Sequence, residues 1–201
     1  TPIPRTLAIS LYGDMDVSTI GMLPKGRASV TTKLITSRSM GPILEEVLEK
    51  ADDGNQCYVV CPAIEKNEEM DIRNVIDIYE GMKASLGKRY RIGILHGKMS
   101  TQEKDDVMNR FLQKEIDFLV STTVIEVGVD VKDANIMVIY DAHRFGLSQI
   151  HQLRGRVGRG NRPGYCYLLS NTKDPDSLKR LKICEQTRDG FEIARADLQI
   201  R

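Results

Sequence analysis

No run of 18 or more apolar residues occurs in this 201-residue chain, so nothing in it has the length of a membrane-spanning helix. The layout of a secretory leader is missing too. The chain opens Thr1-Pro2-Ile3-Pro4-Arg5, without Met, as an internal boundary of a longer protein would. No internal repeat and no low-complexity tract is visible. A G-x-x-x-x-G-K-[ST] phosphate loop and a D-E-x-H-type magnesium motif are both absent, so no self-sufficient nucleotide site is written into the sequence. The three histidines, His96, His143 and His151, have no metal-ligand spacing. There are four cysteines. Cys57 and Cys61 flank Tyr-Val-Val in an apolar run, unlike the tighter C-x-x-C of a metal knuckle, and buried free thiols in a reducing cytoplasm are expected. A net charge of +1 excludes a uniformly basic nucleic-acid binder.

What is present is a chain long enough for one domain with a full core, with 41% hydrophobic residues to fill it. Short apolar runs alternate with helical patterns. Strands are predicted at 56–62, 91–96, 117–122, 135–140 and 164–170. Each run is continuous rather than alternating, as strands buried on both faces of a parallel sheet read. Helices are predicted from Met40 to Ala51 with a stop near Gly54, through Ile72, Val75, Ile76, Tyr79 and Met82, and from the capping box Ser100-x-x-Glu103 along Val107, Met108, Phe111 and Leu112. A further helix is predicted from Leu147 to about Gly158. The last runs from Asp174 to about Arg188 and is followed by a turn at Asp189-Gly190. The alternation argues for an α/β layered fold with right-handed crossovers and a mostly parallel central sheet, plus a short C-terminal helical segment.

Charge is unevenly spread. Between His151 and Gly164 stand Arg154, Arg156, Arg159 and Arg162, with no acid. On a continuous helix Gln152, Arg156 and Arg159, at i, i+4 and i+7, share one face. Gly155 and Gly158 between them allow close approach of a backbone or ligand. Guanidiniums offer planar forks that match phosphate oxygens. A solvated basic face or a simple nucleic-acid grip is the plainer reading. A dinucleotide-binding fingerprint is excluded, because the glycine order is wrong and no strand directly precedes it.

The stretch 152–159, QLRGRVGR, resembles the last signature motif of superfamily 2 helicases, and Ser121–Asp130, STTVIEVGVD, resembles the motif before it. Phe145–Arg156, together with Thr1–Thr6, Tyr12–Ser18 and Leu23–Arg27, is similar to the bacterial RecG branch-migration helicases, and the resemblance runs through nearly all of the chain. It implies a RecA-like domain, the second of two that sandwich ATP. Residues 1–30 would be a linker from the first motor domain, 31–170 the RecA-like domain, and 171–201 a helical hairpin leading into a translocation loop that is cut short.

The resemblance also assigns roles. Arg156 and Arg159 match arginines that reach the ATP phosphates and stabilise developing charge, an effect worth roughly 10³–10⁵-fold in rate. Gln152, Gly128 and Asp130 match nucleotide-contacting positions. Thr122, Thr123, Gly97, Lys98 and Arg154 are the expected nucleic-acid contacts. Thr1, Arg5, Glu126 and Arg201 fall at coupling positions. Lys132 and His143 depart from the family pattern, where Pro and an acid are common. ATP with magnesium would be shared with the first motor domain, and this chain alone would bind neither. Implied partners are branched double-stranded DNA, the first RecA-like domain and the wedge domain of the same protein, and a single-stranded-DNA-binding protein. No membrane partner is implied, and the implied compartment is the cytoplasm. The motor half of the transcription-repair coupling translocase Mfd and a non-catalytic nucleic-acid-binding module are the alternatives.

Overall fold

The computed structural model describes residues 28–62, 68–122, 131–187, 189–190, 192–193 and 195–196. Its described strands form one six-stranded, wholly parallel sheet in the order β1-β6-β5-β2-β4-β3. The strands are β1 (Val30–Ile35), β2 (Gln56–Cys61), β3 (Ile92–Leu95), β4 (Phe118–Thr122), β5 (Ala134–Ile139) and β6 (Gly164–Leu169). The helices are α1 (Leu44–Asp52), α2 (Glu68–Leu86), α3 (Thr101–Leu112), α4 (Leu147–Arg154) and α5 (Pro175–Gln186).

The continuous apolar runs have the cause that the sequence suggested: β2, β4 and β5 are buried at every residue. Their side chains alternate between two cores. Tyr58 and Val60 of β2 join a core with α3, α4 and α5, through Phe111, Ile150 and Leu181. Cys57, Val59 and Cys61 face the other core, with Val47 of α1 and Val75 and Met82 of α2. All four cysteines are buried and none forms a disulfide among the described residues, and burial pushes the Cys61 and Cys166 thiols up to about 12. At Gly93 a side chain has no room, because a Cβ would lie 2.7 Å from Ile116 Cδ1.

Three elements differ from expectation. β1 was not anticipated. It pairs in parallel with β6 from Val30↔Gly164 to Ile35↔Leu169 at the rim of the sheet. As an edge strand it is only partly buried, so its Thr and Lys residues break the apolar run that marks the others. Its Leu34 N–H donates to Glu185 of α5 at 2.8 Å, which covers part of the open edge. The segment expected as a turn at Asp189-Gly190 is instead a helical start: Gly190, Glu192, Ile193, Arg195 and Ala196 are helical, and the Ile193 N–H donates to the Asp189 carbonyl.

The third difference matters most. α4 ends at Arg154, not near Gly158. Leu147, Ile150 and Leu153 bury its inner face. The Arg156 N–H then donates to the Leu153 carbonyl, an i→i−3 bond of a tightening last turn. Gly158 takes φ +68, which ends any helical course. A single helical face carrying Gln152, Arg156 and Arg159 therefore does not exist.

Candidate functional site

All strands being parallel, the sheet has a carboxyl edge and an amino edge. A strand of five or six residues makes them roughly 15–20 Å apart. The candidate residues divide between these edges.

The arginine segment lies toward the amino edge. A Cβ at Gly158 would come within 2.9 Å of Val30 Cγ2, and one at Gly164 within 2.9 Å of the Gly158 nitrogen. The loop after α4 is thus pressed against the first residues of β1 and β6, and only glycine fits at Gly158 with its positive φ. Arg156 is half-buried, and Arg159 and Gln152 are exposed. Arg159 Nε donates to the Gly155 carbonyl at 3.1 Å, so its side chain folds over the turn. Arg162 donates to the Asp53 carbonyl at 2.7 Å. Two guanidiniums of this stretch are therefore aimed by backbone oxygens.

Arg154 departs from the reading as a nucleic-acid contact. It is 5% exposed. One guanidinium nitrogen donates to the carbonyls of Cys184 and Thr187, at 2.9 and 2.8 Å, and the other lies 3.0 Å from His151 Nδ1. Its planar fork is used on the end of α5, where carbonyls have no intrahelical partner. As placed here, it presents nothing to a phosphate.

The carboxyl edge carries three of the residues expected to contact the nucleic-acid backbone, Gly97, Lys98 and Thr122. Gly97 and Lys98 are exposed in the turn after β3, and Thr122 closes β4 in a buried position. The turn leads into α3, whose capping box is complete: the Glu103 N–H donates to Ser100 Oγ and the Ser100 N–H to the Glu103 carboxylate. Lys104 Nζ reaches back to the Gly97 carbonyl at 3.0 Å. Burial, with Lys104 and Lys98 nearby, lowers the pKa of His96, so its imidazole favours the neutral form. His96 Nδ1 and Ser121 Oγ are buried without hydrogen-bond partners among the described residues. β3 and β4 bring Leu95 opposite Ser121, so these two unpaired groups end neighbouring strands. An unpaired buried polar atom costs about 1–3 kcal/mol, which a bound ligand or water would relieve.

A second feature of this edge escaped the sequence. A cleft of about 470 Å³ opens where β2 and β5 end, lined in part by Arg38, Asn74, Asp77, Asp141, His143 and Arg144. β2 leads to α2 on one face of the sheet, and its neighbour β5 leads to α4 on the other. Such a switch point leaves a crevice outside the carboxyl ends. Asp141 holds φ +45 there, a conformation short polar residues tolerate. His143 Nδ1 is 2.9 Å from Ser170 Oγ. The lining residues come from five separated stretches, so no local motif announces them.

Thr123, Gly128, Asp130, Thr1, Arg5, Glu126 and Arg201 lie outside the described residues. No cluster of three metal-ligating side chains occurs among the described residues. No helix among them is long and apolar enough to cross a membrane.

Comparison with known proteins shows the family to which this fold and these motifs belong. The profile of the helicase conserved C-terminal domain matches residues 40–161, which includes every strand except β1 and β6. The chain belongs to the helicase conserved C-terminal domain family. Within that family it is 48% identical to the ATP-dependent DNA helicase RecG of Staphylococcus epidermidis and 50% identical to that of Staphylococcus aureus, over its whole length in both cases. It spans 30% and 29% of those relatives, respectively. A solved structure of RecG bound to a three-way DNA junction superposes on all of the chain with TM-score 0.84 and 41% identity, and the chain covers 26% of that protein. Domain 2 of the DEAD-box helicase Mss116p, solved with an RNA duplex, is only 16% identical at TM-score 0.61, and its likeness is one of fold. The helicase C-terminal domain is thus a RecA-like α/β domain, as its sequence motifs implied.

Proposed function

We propose that this chain is the second motor domain of an ATP-dependent helicase that remodels branched DNA, with its amino edge serving ATP and its carboxyl edge serving the DNA backbone. One observation carries the reading: the whole-length likeness to RecG, whose solved structure holds a three-way DNA junction.

Arg156 and Arg159 would meet the phosphates, and Gln152, Gly128 and Asp130 would complete the nucleotide contacts. The fit rests on the half-buried and exposed guanidiniums seated on a glycine turn that a Cβ would obstruct. ATP, when bound with magnesium between the two motor domains, supplies the free energy of phosphoryl transfer. The arginines hold positive charge where negative charge develops, without reorganising. On the other edge Lys98 would neutralise a phosphate, Gly97 would admit the backbone closely, and Thr122 and Thr123 would offer hydroxyl and N–H donors. Thr1, Arg5, Glu126 and Arg201 would link the domain to the rest of the motor. Partners in this reading are the first RecA-like and wedge domains, branched DNA and a single-stranded-DNA-binding protein, in the cytoplasm.

Steady-state ATP turnover with and without three-way junction DNA tests the proposal. The isolated chain, lacking a phosphate loop, should show no stimulated turnover, and the complete protein should show it. Robust junction-stimulated hydrolysis by the isolated chain would overturn the assignment of a half-site.

A further inference from the structure

The carboxyl-edge cleft gathers polar side chains that the fold leaves without partners. Arg38 follows β1, Asp141 and Arg144 follow β5, Asn171 follows β6, and Asn74 and Asp77 line the cleft from α2. None of these six makes a side-chain hydrogen bond or an ion pair among the described residues. Elsewhere Asp52 and Asp117 are each held by an arginine. Here two arginines and two aspartates line one cleft and stay apart. Asp141 holds its place in a left-handed backbone, φ +45, a cost that recurs where ligands are clamped. The bond between His143 Nδ1 and Ser170 Oγ ties the turn after β5 to the end of β6, which fixes that wall.

The dimensions limit the occupant. The cleft spans the ends of β1, β6, β5 and β2, which is three strand spacings or roughly 14 Å. Its volume of about 470 Å³ lies within the range of about 300–1,000 Å³ of small-ligand sites. A lone phosphate ion would leave most of it empty. A bare run of phosphates would meet Asp77 and Asp141 as like charges, which disfavours binding. A nucleotide meets each part of the lining. Its phosphate suits the guanidinium forks of Arg38 and Arg144. Their strands lie two places apart in the sheet, roughly 10 Å, so both side chains can turn to one phosphate. A base presents both donors and acceptors, as amides and a carboxylate require. Its flat faces suit Pro62 and Ile78, which belong to the apolar part of the lining.

We propose that this cleft takes one nucleotide unit, its phosphate on Arg38 and Arg144 and its base against Pro62 and Ile78, edged by Asn74, Asp77 and Asn171. An unpaired nucleotide of a DNA strand and a free mononucleotide share this chemistry. The inference rests on the functional reading above and adds a contact with a base to the contacts with the backbone.

The test uses the complete protein that carries this domain, with a non-hydrolysable ATP analogue bound. Affinity is measured over a range of salt for two three-way DNA junctions, one fully paired and one with an unpaired arm, and separately for adenosine monophosphate. Arg38→Gln with Arg144→Gln removes the phosphate contact. It should weaken binding of the junction with the unpaired arm about tenfold and lower its salt slope by about 0.7, the value for one phosphate of a single strand. The fully paired junction should change by less than about twofold. Asn74→Ala with Asn171→Ala removes the base contact. It should cost about fivefold on the unpaired arm and leave the slope unchanged. Losses that fall on adenosine monophosphate and on neither junction identify a free nucleotide as the source and uphold the inference. Equal losses on both junctions mean a plain backbone grip and overturn it. A loss in the arginine variant without one in the asparagine variant overturns it too, as does no loss with any probe. Should the arginine variant fail to fold, Asn74→Ala alone, at an exposed helix position, still reads the base contact. A wild-type protein that binds neither junction refutes the functional reading itself. One that binds both, with every variant unchanged, refutes the inference alone.

Discussion

The amino and carboxyl edges of this sheet hold their cations in different ways. At the amino edge the cations are spoken for by the fold: Arg159 and Arg162 donate to backbone carbonyls, and the loop that carries them is wedged against β1 and β6 through Gly158 and Gly164. Both edges hold buried polar atoms without a hydrogen-bond partner among the described residues, Gln56 Oε1 and Asn135 Oδ1 at the amino one, but at the carboxyl edge Lys98 is exposed and arginines line a cleft. His96 Nδ1 and Ser121 Oγ are buried and unpaired among the described residues, and Arg38 and Arg144 line a cleft. Rigid placement suits groups that must meet developing charge at fixed positions, because preorganised charge needs no reorganisation at the moment of reaction. Open polar groups suit a surface that accepts a long, regular polyanion. Under the proposed function, this difference would suit one domain to two ligands of unlike demands.

The sharpest way to break this comparison is at Arg156. In the complete protein Arg156→Ala should lower ATP turnover by roughly 10³–10⁵-fold, measured at saturating junction DNA. A near-wild-type rate would remove the amino edge from the nucleotide site. Gly158→Ala probes the wedge itself. The new Cβ meets Val30 at 2.9 Å in a φ of +68, so unfolding in denaturant should show a loss of about 1–3 kcal/mol. No loss would mean that the loop is not held against β1. Ser100→Ala tests the firmness of the other edge, where the cap anchors the turn bearing Lys98. A cost of about 1 kcal/mol is expected, and hydrogen exchange should rise first in the initial turn of α3.

The smallest effect concerns neither edge. Glu46 sits between them, on α1 against the sheet. Burial alone would raise its pKa, but hydrogen bonds from Lys33, Tyr167 and Lys50 hold it at about 2, against an ordinary 4.5. A carboxylate lowered in the folded state stabilises it above its unfolded pKa and loses that contribution as pH falls through the folded one. Stability should therefore decline between about pH 4.5 and 2. Glu46→Gln should flatten that part of the acid titration while leaving both edges alike. An unchanged acid profile would show that the cluster contributes nothing.

Much of this was legible in the sequence because it depends on local pattern. Five strands of the parallel sheet announced themselves as runs buried on both faces, and the Ser100–Glu103 cap is a signature whose partners lie three residues apart. The motif 152–159 identified its family directly. What escaped depends on distant partners. β1 is half-exposed, so its pattern is that of an edge. The end of α4 at Arg154 is set by Gly158 packing on Val30, a contact across more than a hundred residues. Arg154 reads as one more surface cation until α5 is seen to bring the carbonyls of Cys184 and Thr187 to it. The cleft of Arg38, Asn74 and Arg144 exists only once the strands are ordered.

The central claim is that ATP and DNA are served by opposite edges of one sheet. A crossed measurement on the complete protein tests it most directly: Arg156→Ala and Lys98→Gln, each assayed for DNA-saturated ATP turnover and for the salt slope of junction binding. Arg156→Ala should lose turnover by orders of magnitude and keep its slope. Lys98→Gln should keep its turnover and lose about 0.9 from the slope. If Arg156→Ala lowers the slope, or Lys98→Gln abolishes turnover at saturating DNA, the division between the edges is contradicted.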